Sequence, residues 1–279
     1  AAQNASRGSS WAGTGSRGPT TGPPAVDSVT VALWRFDEGS GGTAFDSGPY
    51  RLQGSVGLDC RPDFGRFSGA RRFNRTTGSF VLVPPNPQLV PRGGFSCEAW
   101  VNVGAFGQYE LTPIAGVWTE DANRRSWLFA IGGERRTGAR APLPSPGFHY
   151  AITPPGTMGR LIFAYQPEAA SAPLGFQSAL MLETGRWTHV AVTFDGNVVK
   201  FWINGLLDSQ YASSGRIRSS DAPLLVGNYF DTRLLSTFSG TLHLDGGDPN
   251  PYYAFEGQLD ELRLSSVART SFPRVTGGR

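Results

Sequence analysis

The densest run of groups able to bind something lies late in the chain. Asp245-Gly246-Gly247-Asp248-Pro249-Asn250 is preceded by His243 and followed by Tyr252 and Tyr253. Side-chain oxygens spaced by glycine and proline on a turn suit two tasks: coordinating a hard cation such as calcium, and hydrogen bonding to sugar hydroxyls. Tyr252, Tyr253 and the earlier Tyr229 add rings on which a sugar could stack, because each offers an apolar face and a polar tip. The plain alternative is a turn-rich loop whose aromatics fold back onto the core, and both readings stand at this level.

The remaining reactive residue types form no catalytic pattern. The three histidines, His149, His189 and His243, make no H-E-x-x-H spacing, and the chain has no Gly-x-Ser-x-Gly elbow. His189 has apolar neighbours in a strand-like run and reads as structural. Cys60 and Cys97 are the two cysteines, and they form either one disulfide or two buried free thiols. Asn4-Ala5-Ser6 and Asn74-Arg75-Thr76 match the N-glycosylation pattern, which matters only in a glycosylating host.

Composition narrows the partners. The formal charge of +3 comes from arginine, with Lys200 the lone lysine, against 22 acids. The basic residues are scattered, whereas a nucleic-acid or anionic-membrane surface calls for a concentrated stripe. No apolar run is long enough to span a membrane. The chain begins Ala1-Ala2-Gln3 rather than with Met, which reads as a processed secreted protein with its signal peptide removed, located extracellularly or at the cell surface.

The elements that must position these groups are strands. The 37 glycines and 21 prolines separate short apolar bursts without helical period. Val29, Val31 and Leu33 alternate with Thr30, Ala32 and Trp34, and bursts recur near 52–56, 71–73, 80–83, 95–103, 114–118, 127–131, 148–152, 161–165, 187–194, 198–204, 224–229 and 253–264. So many short strands favour a two-sheet sandwich. Two long linkers, at about 132–147 and 230–252, interrupt the pattern, and the second is read as functional because of its aromatic and polar mixture. Residues 1–26 are a Gly/Ser/Pro-rich tail that cannot bury enough surface to order itself. It packs either on its own sandwich or on a neighbour. The expected domain is 27–271, with a C-terminal tail at 272–279.

Four segments carry a resemblance. Trp187-Thr188-His189-Val190-Ala191 through Asp195-Gly196 to Phe201-Trp202-Ile203-Asn204-Gly205 is a hairpin in physical terms. It closely resembles the "W-H-V-A, D-G, Y-V-N-G" hairpin of laminin-G-like jelly rolls. Trp34-Arg35-Phe36-Asp37-Glu38 resembles the opening strand of that family, Phe95-Ser96-Cys97-Glu98-Ala99-Trp100-Val101 a middle strand, and Phe255 to Leu264 the closing strand. The resemblance implies an all-β, two-sheet antiparallel jelly-roll sandwich of the concanavalin A-like type.

It also implies a calcium ion tying the first strand region to the last. The matching acids are Asp37, Glu38, Asp46 and Asp260; the alternative is that they cap turns or pair with Arg35 and Arg263. Laminarinase-like hydrolases of this fold place their carboxylates as E-x-D-x-x-E, a spacing that Glu256, Asp260 and Glu261 do not match. No enzyme is expected. The favoured function is a secreted, non-catalytic binding or adhesion module for carbohydrate or an extracellular protein, assisted by calcium. The alternative is a structural subunit of an extracellular filament, sheath or surface layer that assembles through residues 1–26.

Overall fold

The computed structural model describes residues 22–274 apart from 58, 108–110, 120–121, 135–155 and 230–252. Their strands form two antiparallel eight-stranded sheets, numbered in chain order. The first sheet runs β14 (Leu206–Ala212), β13 (Val198–Ile203), β12 (Trp187–Phe194), β7 (Phe95–Ala105), β16 (Glu256–Ser265), β5 (Gly69–Phe73), β4 (Arg61–Phe64), and β1 (Thr30–Trp34) also pairs with β16. The second runs β11 (Leu174–Met181), β10 (Arg160–Tyr165), β9 (Arg125–Gly132), β8 (Leu111–Trp118), β15 (Leu224–Val226), β6 (Phe80–Val83), β3 (Gly54–Gly57), β2 (Thr43–Ala44). The sandwich expectation holds, and no α-helix occurs among the described residues.

The hairpin of β12 and β13 shows how local sequence builds the sheet. Asp195 Oδ1 accepts hydrogen bonds from the Asn197 and Val198 amides, both at 2.8 Å, and Gly196 takes φ +90° in the turn. A side-chain oxygen on those turn amides pins the register that pairs Phe194 with Val199. Val190, Val192, Val199 and Phe201 then point inward with Phe95, Trp127 and Phe163. Each large side chain buried this way contributes roughly 1.5–3 kcal/mol.

β16 changes partners halfway. Residues 257–259 pair with β5 and residues 262–265 with β1, while β7 stays alongside throughout. The switch is a bulge between Asp260 and Arg263, where Glu261 adopts φ +53°. Across from it Phe36, just past the end of β1, adopts φ +59°. Neither is glycine, so this left-handed backbone stores roughly 1–3 kcal/mol at each position.

Four strands correspond to none of the bursts read from the sequence: β2, β4, β11 and β14. The burst at 148–152 lies outside the described residues. Both ends of the described chain pack on the first sheet. Arg35 Nη2 donates to the Pro24 carbonyl and Arg263 Nη1 to that of Ala25, while Arg269 pairs with Asp27. Phe272, assigned above to the C-terminal tail, is buried against His189 and Trp202.

Of the two readings of the cysteines, the structure takes the second. Cys60 and Cys97 are buried free thiols, not a disulfide. Burial pushes the Cys60 thiol up to about 12 against the opposing charge of Arg71, and burial with the adjacent Glu98 charge raises Cys97 well above the usual range. Thiolate is the reactive form, so iodoacetamide at mildly alkaline pH should label neither cysteine in the folded protein and both after denaturation. Mass spectrometry that found either thiol alkylated without unfolding would overturn this.

Candidate functional site

Two places in the described fold gather groups that could bind. The first surrounds the β16 bulge. Asp260 is buried on the outward side of β16, and its Oδ2 accepts from the Phe67 amide at 2.9 Å. Its Oδ1 has no hydrogen-bond partner among the described residues. Burial, with the neighbouring charges of Glu261 and Asp37, pushes the Asp260 carboxyl up to about 7 despite the backbone amides that favour ionisation. Burial likewise raises Glu261 to about 7, although Arg35 bonds both of its oxygens at 3.0 Å. Asp37 Oδ1 accepts from the Gly69 amide at 2.8 Å.

The expected calcium ligands therefore divide. Asp37 and Asp260 meet over the 65–69 loop, where even a methyl group on Gly65 would stand 1.9 Å from the Gly69 carbonyl oxygen and 2.7 Å from Asp260 Oδ2. A buried carboxylate oxygen lacking a donor, near a second carboxylate, is chemistry a hard cation satisfies. Asp46 takes its alternative role instead. Its carboxylate accepts from the amides of Leu33, Gly48 and Leu52 at 2.6–2.8 Å, pinning the loop after β1. Glu38 accepts from the Phe45 amide and lies 3.4 Å from Arg71. Among the described residues no three His, Cys, Asp or Glu side chains are grouped to hold a metal. A cation here would therefore lean on Asp37, Asp260 and backbone carbonyls.

The second place is a cleft of about 390 Å³ at the end of the sandwich where β7 starts and β12 finishes. Phe95 and Phe194 line it from the core side, and the rim comes from 91–94, Asp195-Gly196 and 215–217. Gly93, Gly94, Gly196 and Gly215 leave much of that rim as bare backbone, open to a ligand's hydrogen bonds. Sequence reading missed this cleft, because its residues come from three separate turns. The signal available was the pair of glycine-flanked arginines, Arg92-Gly93 and Gly215-Arg216.

Of the predicted ligand residues, Tyr229 and Tyr253 pack ring edge to face, centroids 5.6 Å apart, against Trp118 and Leu128 on the second sheet. These two took the core-packing alternative. His243, Asp245, Asp248, Asn250 and Tyr252 lie outside the described residues.

Glu98 and His189 form an acid–base pair that sequence reading did not anticipate. His189 Nε2–H donates to Glu98 Oε2 at 3.0 Å, and Arg263 bonds the other oxygen. Burial pushes the Glu98 carboxyl up, but the His189 hydrogen bond and the Arg263 charge outweigh it and hold Glu98 below its ordinary value. Both Glu98 and His189 are 1% exposed, with Trp100 and Phe272 against the imidazole. A pair sealed in this way has no path to a substrate and serves as structure.

Comparison with known proteins agrees with the architecture. Residues 75–244 match the laminin-G family model of the concanavalin A-like lectin/glucanases superfamily. The chain belongs to that superfamily. A stretch of 184 residues is 24% identical to pappalysin-1 of Mus musculus, spanning 65% of this chain but 9% of that protein. Among solved structures, the binding domain of Paraclostridial Mosquitocidal Protein 1 superposes with a TM-score of 0.57 at 12% identity, over 87% of this chain and 50% of that one. Domain 4 of AbnA, a GH43 extracellular arabinanase from Geobacillus stearothermophilus solved with arabinotriose, superposes at 0.52 and 18% identity, over 87% and 94%. A botulinum neurotoxin type C structure, whose cell entry depends on two ganglioside molecules, superposes at 0.54 and 12% identity, over 87% and 49%. At these identities the superfamily member and these proteins share a fold, and function needs its own argument.

Proposed function

We propose that this domain is a non-catalytic carbohydrate-binding module that works outside the cell, with the end cleft as its sugar site and calcium as a structural aid. The observation that carries the reading is the cleft itself: an open cavity with a backbone-rich rim, built by three turns of a laminin-G-type sandwich, with Phe95 and Phe194 buried behind it. Support for the absence of catalysis comes from the acids, since Asp46 caps a loop, Glu98 is sealed, and Glu256 accepts from the Arg75 amide. The arabinotriose complex of the similar arabinanase domain and the ganglioside-dependent toxin support carbohydrate as the ligand class. Calcium belongs at Asp37 and Asp260, where it would join the bulged closing strand to the loop beside the opening one.

The test uses position 93, where an added side chain meets nothing within 4 Å. Gly93→Trp should fill the mouth of the cleft, leave the melting temperature unchanged, and weaken glycan binding on the order of tenfold or more. A glycan array in millimolar calcium supplies the ligand. Wild-type protein that binds no glycan would refute the reading. Loss of binding in Tyr252→Ala but not in Gly93→Trp would move the site to the 230–252 loop.

A further inference from the structure

We infer that the corner where β11 meets β14 is the interface of a two-fold dimer, its occupant a second copy of this chain. Met158, Leu180, Met181, Leu206 and Leu207 stand there 40–61% exposed. They are contiguous. The Asp208 carboxylate accepts from the Ala179 and Leu180 amides at 2.6 and 3.0 Å, which holds Leu207 beside Leu180. A Cβ added to Gly159 would stand 3.3 Å from Met181 Cε, so the Met181 side chain reaches the residue next to Met158. Large apolar side chains gathered in solvent mark a docking surface, whereas the same types scattered singly do not.

β14 is also an edge strand left unguarded. Its one charged residue, Asp208, is turned to β11, as is Tyr211, whose hydroxyl donates to the Gln177 carbonyl at 2.6 Å. At the other edge of the same sheet, β4 carries Arg61, Pro62 and Asp63, and Asp63 takes up the Phe64 amide, so that edge is closed to a second chain. The rim of the corner selects the occupant. Glu183 and Arg186 follow Met181 in the chain and pair at 3.1 Å with side chains 72% and 51% exposed, an attraction worth little in water. A two-fold axis through the corner sets apolar side chains against one another and turns Glu183 toward Arg186 of the partner subunit, and the reverse, so one surface complements itself. A partner of a single charge sign would find half of this rim repulsive. The corner lies at the Trp187 end of β12, since the Asn204 amide donates to the His189 carbonyl, and the cleft lies at the Phe194 end. The dimer leaves both clefts open, and two linked sites hold a repetitive surface more tightly than one.

Sedimentation equilibrium over a micromolar to millimolar range reads the self-association. The corner is smaller than a standard interface, so the wild-type dimer should be weak, dissociating in the micromolar range or above. Leu180→Lys combined with Leu206→Lys should weaken it about tenfold or more and leave the melting temperature unchanged, because both side chains already stand in water in the monomer. Glu183→Arg should weaken it by setting like charges across the axis, and adding Arg186→Glu should restore it. Phe64→Lys, which changes an 88% exposed apolar side chain on β4, should dimerise as wild type. A monomer over the whole range would overturn the inference, as would a dimer that survives the double lysine variant. An equal loss in Phe64→Lys would reduce the association to general apolar attraction and overturn it too. A charge swap that fails to restore the dimer would overturn the two-fold arrangement.

Discussion

In a calcium-free, chelator-containing buffer, the domain should lose stability as the pH rises from about 5 to about 8. The cause is the pair of raised carboxyls at the β16 bulge, Asp260 and Glu261, both near 7. Their folded-state values lie above the unfolded ones, so the native state holds more protons through this window and stability falls with rising pH. Below about 4 the benefit of the protonated form is fully present; above about 7 it is gone. A move from 3.8 to about 7 corresponds to roughly 4 kcal/mol for Asp260 alone, and sharing of charge with Glu261 keeps the combined effect near that size. The lowered carboxyls, Asp27, Asp63, Glu98 and Asp195, act in the opposite direction, but they titrate at more acidic pH and do not mask the trend.

For a domain of this length the melting temperature should drop by roughly 5–15 °C across the window. Asp260→Asn should flatten the curve and raise stability at pH 8. Millimolar calcium at pH 8 should restore much of the loss in wild type and little in Asp260→Asn, because the ion would satisfy Asp260 Oδ1. Differential scanning calorimetry of the two proteins, with and without calcium, is the measurement. A flat or rising profile from pH 5 to 8 in chelator would remove the acid-cluster account, and an unchanged midpoint on adding calcium would remove the cation.

The second large effect belongs to Glu98. Its carboxylate is bonded by His189 on one oxygen and by Arg263 on the other, with Arg269 at 4.0 Å. Glu98→Ala should cost roughly 3–5 kcal/mol, since it strands the buried Arg263 and His189 donors without their acceptor. Urea denaturation should show the midpoint falling with the slope unchanged. Replacing Glu98, His189 and Arg263 together by Leu, Leu and Met should recover most of that loss, because the penalty comes from unpaired polar groups rather than from a missing attraction. A loss below about 1 kcal/mol in Glu98→Ala would mean that water reaches the site. That outcome would also reopen the pair to chemistry.

Some elements were legible because their information is local. β12 and β13 announce themselves through alternation around Asp195-Gly196, and that aspartate does make the turn's hydrogen bonds. The inner strands β8, β9 and β10 are buried along nearly their whole length and read as apolar bursts. β4 and β14 are edge strands, largely exposed, with polar residues and a proline in Arg61-Pro62-Asp63-Phe64. An edge strand faces the core weakly, so its sequence carries little alternation. β11 closes the other sheet's edge in the same manner.

The sites divide along the same line. The residues Asp37, Asp46 and Asp260 could be named as a set from the family resemblance, but which of them face one another depends on the β16 bulge. Asp46 turned inward to three amides, and Asp260 turned outward to an unmet need. By itself, then, the sequence determined the sandwich, its hairpins and its superfamily, because side-chain period, turn residues and strand order are written along the chain. Only the tertiary structure decided which polar groups are satisfied and which are left to bind something, because that depends on neighbours that the chain brings together from more than a hundred residues apart, as with Phe67 and Asp260.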